Sequence, residues 1–206
     1  LEAHYSVINN FQVSREVEDY LERTRGGERR PLDARDADFI LGLPGGDGFY
    51  IDGEFHFVDM TFHYGVTDRL DLGISVSYID FDGGFLDGTI FDFHDSFGYG
   101  QQGRDFVADQ QFQVVIGEDG AGFVLLAGPP DGGFSDPSLY FRYLLGQKGR
   151  WSFNLGGGVK IPLADEEFLS SGEEDFGLLL TAQAQWEKHA LFFNFSVVEP
   201  GDFVNQ

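Results

Sequence analysis

The chain has no cysteine, a single methionine, and only 13 lysines and arginines against 35 acidic residues in 206 positions. Without cysteine there is no disulfide framework and no thiolate metal site. The shortage of bases leaves a formal net charge of −22, and such a surface repels phosphate backbones, so no nucleic-acid partner is expected. Also missing is any run of 18 apolar residues, which excludes a transmembrane helix. Mean hydropathy is −0.19, slightly polar. That value does not exclude a membrane barrel, in which only every second strand residue meets lipid. The chain begins at Leu1 with no basic–apolar leader, so if it is exported its signal is expected to have been removed or to lie outside this numbering.

What is abundant is glycine, at 29 residues, and phenylalanine, at 23. Turn formers and aromatics with few helix formers favour strands. The dominant pattern is alternation. Leu70, Leu72, Ile74, Val76 and Tyr78 share one face of a strand, and Asp71, Gly73, Ser75 and Ser77 the other. Trp151, Phe153, Leu155, Gly157, Val159 and Ile161 repeat the pattern, as do Phe176, Leu178, Leu180, Ala182, Ala184 and Trp186. A helix would scatter these residues around its circumference. Strands are predicted at 3–13, 49–64, 70–79, 106–116, 123–127, 136–145, 150–161, 175–186 and 190–198.

The connections between these strands alternate. Long ones span 14–48, 80–105, 128–135 and 162–174, and short ones 65–69, 117–122, 146–149 and 187–189. Outer-membrane barrels have long extracellular loops and short periplasmic turns, whereas a Greek-key sandwich has no reason to alternate. The polar face of the strands is mostly Gly, Ser, Thr, Asn and Gln, which suits a tight barrel interior. The fold expected is all-β: one domain over 1–206, an antiparallel up-and-down transmembrane β-barrel of about 9–12 strands. Nine strands is an odd count, and the tail from Gly201 to Gln206 ends on no closing strand. One or more terminal strands are therefore expected to be missing.

Two stretches carry a family resemblance. Gly83-Gly84-Phe85-Leu86-Asp87-Gly88, then Phe93-His94-Asp95, Phe97-Gly98 and Gly103-Arg104-Asp105, resemble the signature loop of an uncharacterised bacterial outer-membrane barrel family. That family is a domain of unknown function related to phenol-degradation-type outer-membrane transporters. Tyr64 to Gly73 is similar to a hairpin shared among such barrels, and Ser135 to Leu139, Val159 to Pro162 and Ser171 to Leu178 fit as well. The resemblance implies a location in the outer membrane and a barrel fold. It brings no catalytic residue, cofactor or substrate.

Candidate chemistry is sparse. Asp82, Asp87, Asp92 and Asp95 in the 80–105 loop are candidate ligands for a hard cation such as calcium, although their spacing fits no calcium loop. The competing reading makes the loop a plug, with its phenylalanines packed and its aspartates capping turns. Otherwise no cofactor is expected. A second acidic group, Asp165, Glu166, Glu167, Glu173, Glu174 and Asp175, would give a mouth that attracts cations, or only a solvated charge run. The arginines of 14–48 suit outer-leaflet phosphates or pairing with their own acidic neighbours. His56 and His63 have opposite parity on one strand, so no catalytic constellation forms and no enzyme is expected. Gly156-Gly157-Gly158 lies within a strand and marks a bend or close packing.

The function expected is a narrow pore or transporter for small molecules, embedded in outer-membrane lipid. Its lumen would be lined by Thr61, Asp71, Ser75, Ser77, Arg142, Asn154, Lys160, Thr181 and Gln183. Arg142 and Lys160 should then pair with acids such as Asp71 or Asp175. The alternative is a closed structural barrel whose acidic loops bind a partner or cation without permeation.

Overall fold

A computed structural model describes residues 1–46, 48–118, 121–166 and 168–201. It is built mostly of antiparallel strands: β1 (Glu2–Val13), β2 (Phe49–Gly65), β3 (Leu70–Asp82), β4 (Gln113–Glu118), β5 (Ala121–Leu125), β6 (Gly133–Phe134), β7 (Ser138–Lys148), β8 (Trp151–Lys160), β9 (Asp175–Gln185) and β10 (Ala190–Glu199). Three helices interrupt them, α1 (Arg15–Arg25), α2 (Ala34–Leu41) and α3 (Asp87–Phe97). No helix among the described residues is long and apolar enough to cross a membrane.

The strands follow the order β10–β9–β8–β7–β3–β2–β4–β5, with β1 also on β2 and β6 on β3. That path has two ends, so the sheet is open among the described residues. The expected single meander is also interrupted. The neighbour of β3 is β7, while β4 pairs with the start of β2, Phe49 opposite Ile116. The reason is burial: Val115 and Tyr50 are both fully enclosed in one apolar core. With the 83–137 excursion set aside, β1, β2, β3, β7, β8, β9 and β10 pair in chain order. Their links still alternate, long at 14–48, 83–137 and 161–174 and short at 66–69, 149–150 and 186–189.

Compact packing divides the chain into two units. One is Leu1–Tyr5, Phe57–Ile79 and Gly133–Gln206; the other is Ser6–His56 and Asp80–Gly132. In the first, registers are continuous from β3 through β10. Leu72 lies opposite Phe141, which faces Gly157, which faces Leu178, which faces Val197. Asp71, Arg142, Gly156, Leu179 and Ser196 form the adjacent row on the other face. The short turns are built locally: the Thr67 hydroxyl accepts the Leu70 amide at 3.0 Å, and Gly149 turns through a φ of +63°. A bulge at Leu145 shifts the register between β7 and β8.

The second unit holds the helices that alternation did not predict. The 14–48 stretch, expected as a loop, folds into α1 and α2. Val17 and Leu21 lie on one helical face and are fully buried with Ile40 and Ala37. Asp33 and Asp36 form a reciprocal capping box, which starts α2. The Asp36 amide on the Asp33 carboxylate is the main influence holding that group below its usual range, outweighing slight burial. Arg25 and Asp36 pair at 2.6 Å with no side-chain exposure. The predicted strand 106–116 begins only at Gln113, because Gln110 takes a φ of +60° that extended backbone cannot accommodate.

Candidate functional site

The polar face of the first unit carries charged groups in pairs. On β3 and β7, Asp71 Oδ2 accepts from Arg142 Nε at 3.0 Å and Nη2 at 2.6 Å. On β8 and β9, Lys160 Nζ lies 2.7 Å from Asp175 and 3.9 Å from Asp136. Ser77 donates to Asp59, and the Tyr140 hydroxyl lies 3.1 Å from His63 Nδ1. Arg142 is 65% exposed, so its pair with Asp71 is screened by solvent, whereas Lys160 and Asp175 are more enclosed.

Between these pairs lies an open cavity of about 660 Å³. Its floor is glycine. Tyr140 faces Gly73 on one side and Gly158 on the other, and Gly158 faces Gly177 and then Val198. The Tyr140 ring covers Gly73 so closely that a Cβ there would lie 2.2 Å from Cζ. Gly177 is open instead, with Val198 Cγ2 at 3.9 Å as the nearest side chain. Gly157 points to the opposite face, where a Cβ would meet the Phe141 ring at 2.6 Å. The triple glycine therefore thins the sheet on both faces: it carves the trench on one and seats an aromatic on the other.

Of the residues expected along a lumen, Asp71, Arg142, Asn154, Lys160, Thr181 and Gln183 all border this cavity. Ser75 lies opposite Ser138, in the row that continues to Lys160 and Asp175. Ser77 reaches Asp59, and Thr61 lies on β2 between Asp59 and His63. His63 has the parity of Asp59 and Thr61, so alternation already puts it on the polar face, although it is not among the expected lumen residues; alternation does not single out Tyr140 or Asp136.

Asp136 binds the 161–174 link. It is buried and accepts from the amides of Leu163 at 2.9 Å and Ala164 at 3.0 Å, and from the Ser170 hydroxyl at 2.7 Å. Burial pushes its carboxyl up, but these donors and Lys160 outweigh that and hold it below the usual range. Ser135 to Leu139, Val159 to Pro162 and Ser171 to Leu178 are thus parts of one cluster, through Asp136, Lys160 and Asp175. Of the second acidic group, Glu167 lies outside the described residues, as do Asp119 and Gly120 of the 117–122 turn and positions 202–206 of the tail.

In the second unit the signature loop has a structural core. Asp87 and Arg104 form a buried ion pair at 2.9 Å. Asn9 Nδ2 donates to Asp87 at 2.9 Å, the Gln110 amide donates to it at 2.8 Å, and Arg104 also donates to Asn9 Oδ1. Glu54, fully buried, accepts the amides of Phe85 at 3.3 Å and Leu86 at 3.2 Å at the start of α3. The loop was expected without a helix; Ile90, Phe91 and His94 form the partly covered side of one. The proposed cation ligands do not converge. Asp87 is committed to Arg104, Asp82 accepts the Gly83 amide, and Asp92 and Asp95 are exposed on α3. Among the described residues no three His, Asp or Glu side chains gather as a metal site. His56 lies beside Glu54 and Phe85, while His63 contacts Tyr140, and His94 lies 3.2 Å from the Gly100 carbonyl.

Comparison with curated proteins and with solved structures gave no match. A family profile described as a protein of unknown function (DUF3187) matches residues 45–200, which include both the 83–105 loop and the polar face of the first unit. That span is most of the chain, and the chain belongs to the DUF3187 family.

Proposed function

We propose that this chain forms the wall of a β-barrel in the bacterial outer membrane and passes small solutes along its polar face. The observation that carries the reading is the chemistry of the opposite face. Leu72 and Ile74 on β3, Leu139 and Tyr143 on β7, Phe153 on β8, Leu178 and Leu180 on β9, and Phe193, Phe195 and Val197 on β10 are all exposed. Phe195 is 66% exposed and Leu178 60%. Soluble monomers rarely expose contiguous apolar patches larger than a few hundred Å². Hydrocarbon tails cover such a face at no cost, and an outward apolar band backed by a polar interior is the arrangement of outer-membrane barrels. The charged pairs and glycine trench then face the lumen. The alternation of long and short links supports the same reading, with the short turns at the periplasmic end.

The test is folding in detergent. The full chain refolded from urea into detergent micelles should migrate faster unheated than boiled in gel electrophoresis, and should conduct in planar bilayers. A chain that stays soluble and compact without detergent overturns the reading. A folded, inserted chain that shows no conductance and admits no small solute in liposome swelling favours a closed structural barrel.

A further inference from the structure

We infer that the polar wall selects cations over anions and accommodates a small organic ammonium ion, with Asp71 the residue that sets the preference. This rests on the reading of that face as a lumen wall. On the polar face of β7 and β8 both fixed cations are already answered, Arg142 by Asp71 and Lys160 by Asp175 and Asp136; Lys148, at the end of β7, lies opposite Trp151 in the other row. The carboxylates are not all used. Asp59 is met only by the Ser77 hydroxyl among the described hydrogen bonds. Asp71 binds Arg142 through Oδ2 alone, so Oδ1 accepts no hydrogen bond among the described ones, and the residue borders the cavity. Asp59, Asp71, Asp136 and Asp175 thus outnumber Arg142 and Lys160, and the surplus charge is negative. Low-dielectric walls strengthen such a surplus, so it draws cations and excludes anions.

The body of the solute is set by the trench. Gly158 and Gly177 leave a slot between the Tyr140 ring and Val198, apolar apart from the phenol, with Asp71 and Arg142 on the neighbouring row. A hydrated inorganic ion gains nothing from glycine and valine. An ammonium group on a short aliphatic body satisfies both parts: its charge reaches Asp71 and the Tyr140 face, and its carbons fill the slot.

The experiment uses the refolded full chain in two arms. In planar bilayers under a potassium chloride gradient, the reversal potential should report cation preference, and Asp71→Asn should bring it close to unselective. Arg142→Gln should increase it. In the second arm, cyclohexylammonium and cyclohexanecarboxylate are titrated against the micelle-folded chain by calorimetry. The ammonium should bind about tenfold more tightly, equivalent to roughly 1.4 kcal/mol, with the difference lost in Asp71→Asn and kept in Ser152→Ala, a control on the same wall. An inserted protein that prefers chloride, or binds both probes equally, overturns the inference and leaves the barrel reading standing. A chain that never folds in detergent fails the earlier test and removes the wall itself.

Discussion

At the scale of single residues, Asp87 and Asp136 hold the most. Asp87 is enclosed with Arg104, Asn9 and the Gln110 amide, so its removal leaves a buried guanidinium without a counter-charge. Breaking a buried pair in this way costs about 3–5 kcal/mol. Asp87→Ala is expected to lower the urea midpoint of refolding accordingly and to expose the 83–110 segment to protease. Asp136 gives a pH signature. Its folded carboxyl lies below the ordinary range, so its contribution is complete above the unfolded pKa and is lost as pH falls through the lower folded value. Asp136→Ala should therefore be less stable than the parent by a constant margin from neutral pH down to about pH 4. The margin should close below that, read from urea midpoints at each pH. A margin that instead grows with acid would show that the carboxyl is not held low.

At the scale of elements, the trench between β7 and β10 is the feature to fill. Gly177 has room for a side chain on its own face, and a bulky residue there projects between Tyr140 and Val198. Gly177→Phe is expected to fold normally, since aromatics suit strands, and to reduce single-channel conductance by at least half. Gly73→Phe at the far end of the same row, beyond Gly158 and Tyr140, should instead disrupt the strand, because the Tyr140 ring already occupies that space. The contrast between the two glycines separates a blocked trench from a broken sheet. The helices teach a different point at this scale. Ser14 before the run containing Val17 and Leu21, Gly26 after it, and the Asp33–Asp36 box are helix signals in plain sight. Alternation does not register them, because a meander of strands leaves its long connections without assigned structure. The helix α3 has weaker signals, and the turn before it is held from a distance by Glu54, 31 residues earlier than Phe85.

At the scale of the whole molecule, the two faces of the β3 and β7–β10 sheet make opposite demands on substitution. A lysine in place of Leu178 or Phe195 would put charge on the apolar face. That is expected to cost about 2–4 kcal/mol of folding stability in bilayers if the site lies near mid-membrane. Lysine in place of Ser196, on the polar face of the same strand, should be tolerated to within about 1 kcal/mol, consistent with the lumen side of a barrel. Urea unfolding from liposomes compares the three variants directly. Equal costs on both faces would mean that neither face meets lipid.

The period-two pattern placed most of the strands, though not β6 and not the late start of β4, and divided their residues between two faces; the pairing of Arg142 and Lys160 with acids followed once that polar face was read as enclosed. Alternation is a local property, and a charge on a sheet face finds its partner on the next strand. Tertiary structure decided which strands are neighbours. That β3 lies against β7 while β4 turns to β2 follows from Tyr50 and Val115 sharing a core with α1 and α2, a contact between residues far apart in the chain. The same holds for Asp136, whose hydrogen-bond donors lie 27 to 34 residues away, and for Asn9 and Arg104, which meet across 95. A sequence read in windows sees a face, but burial and long-range hydrogen bonding choose what that face is placed against.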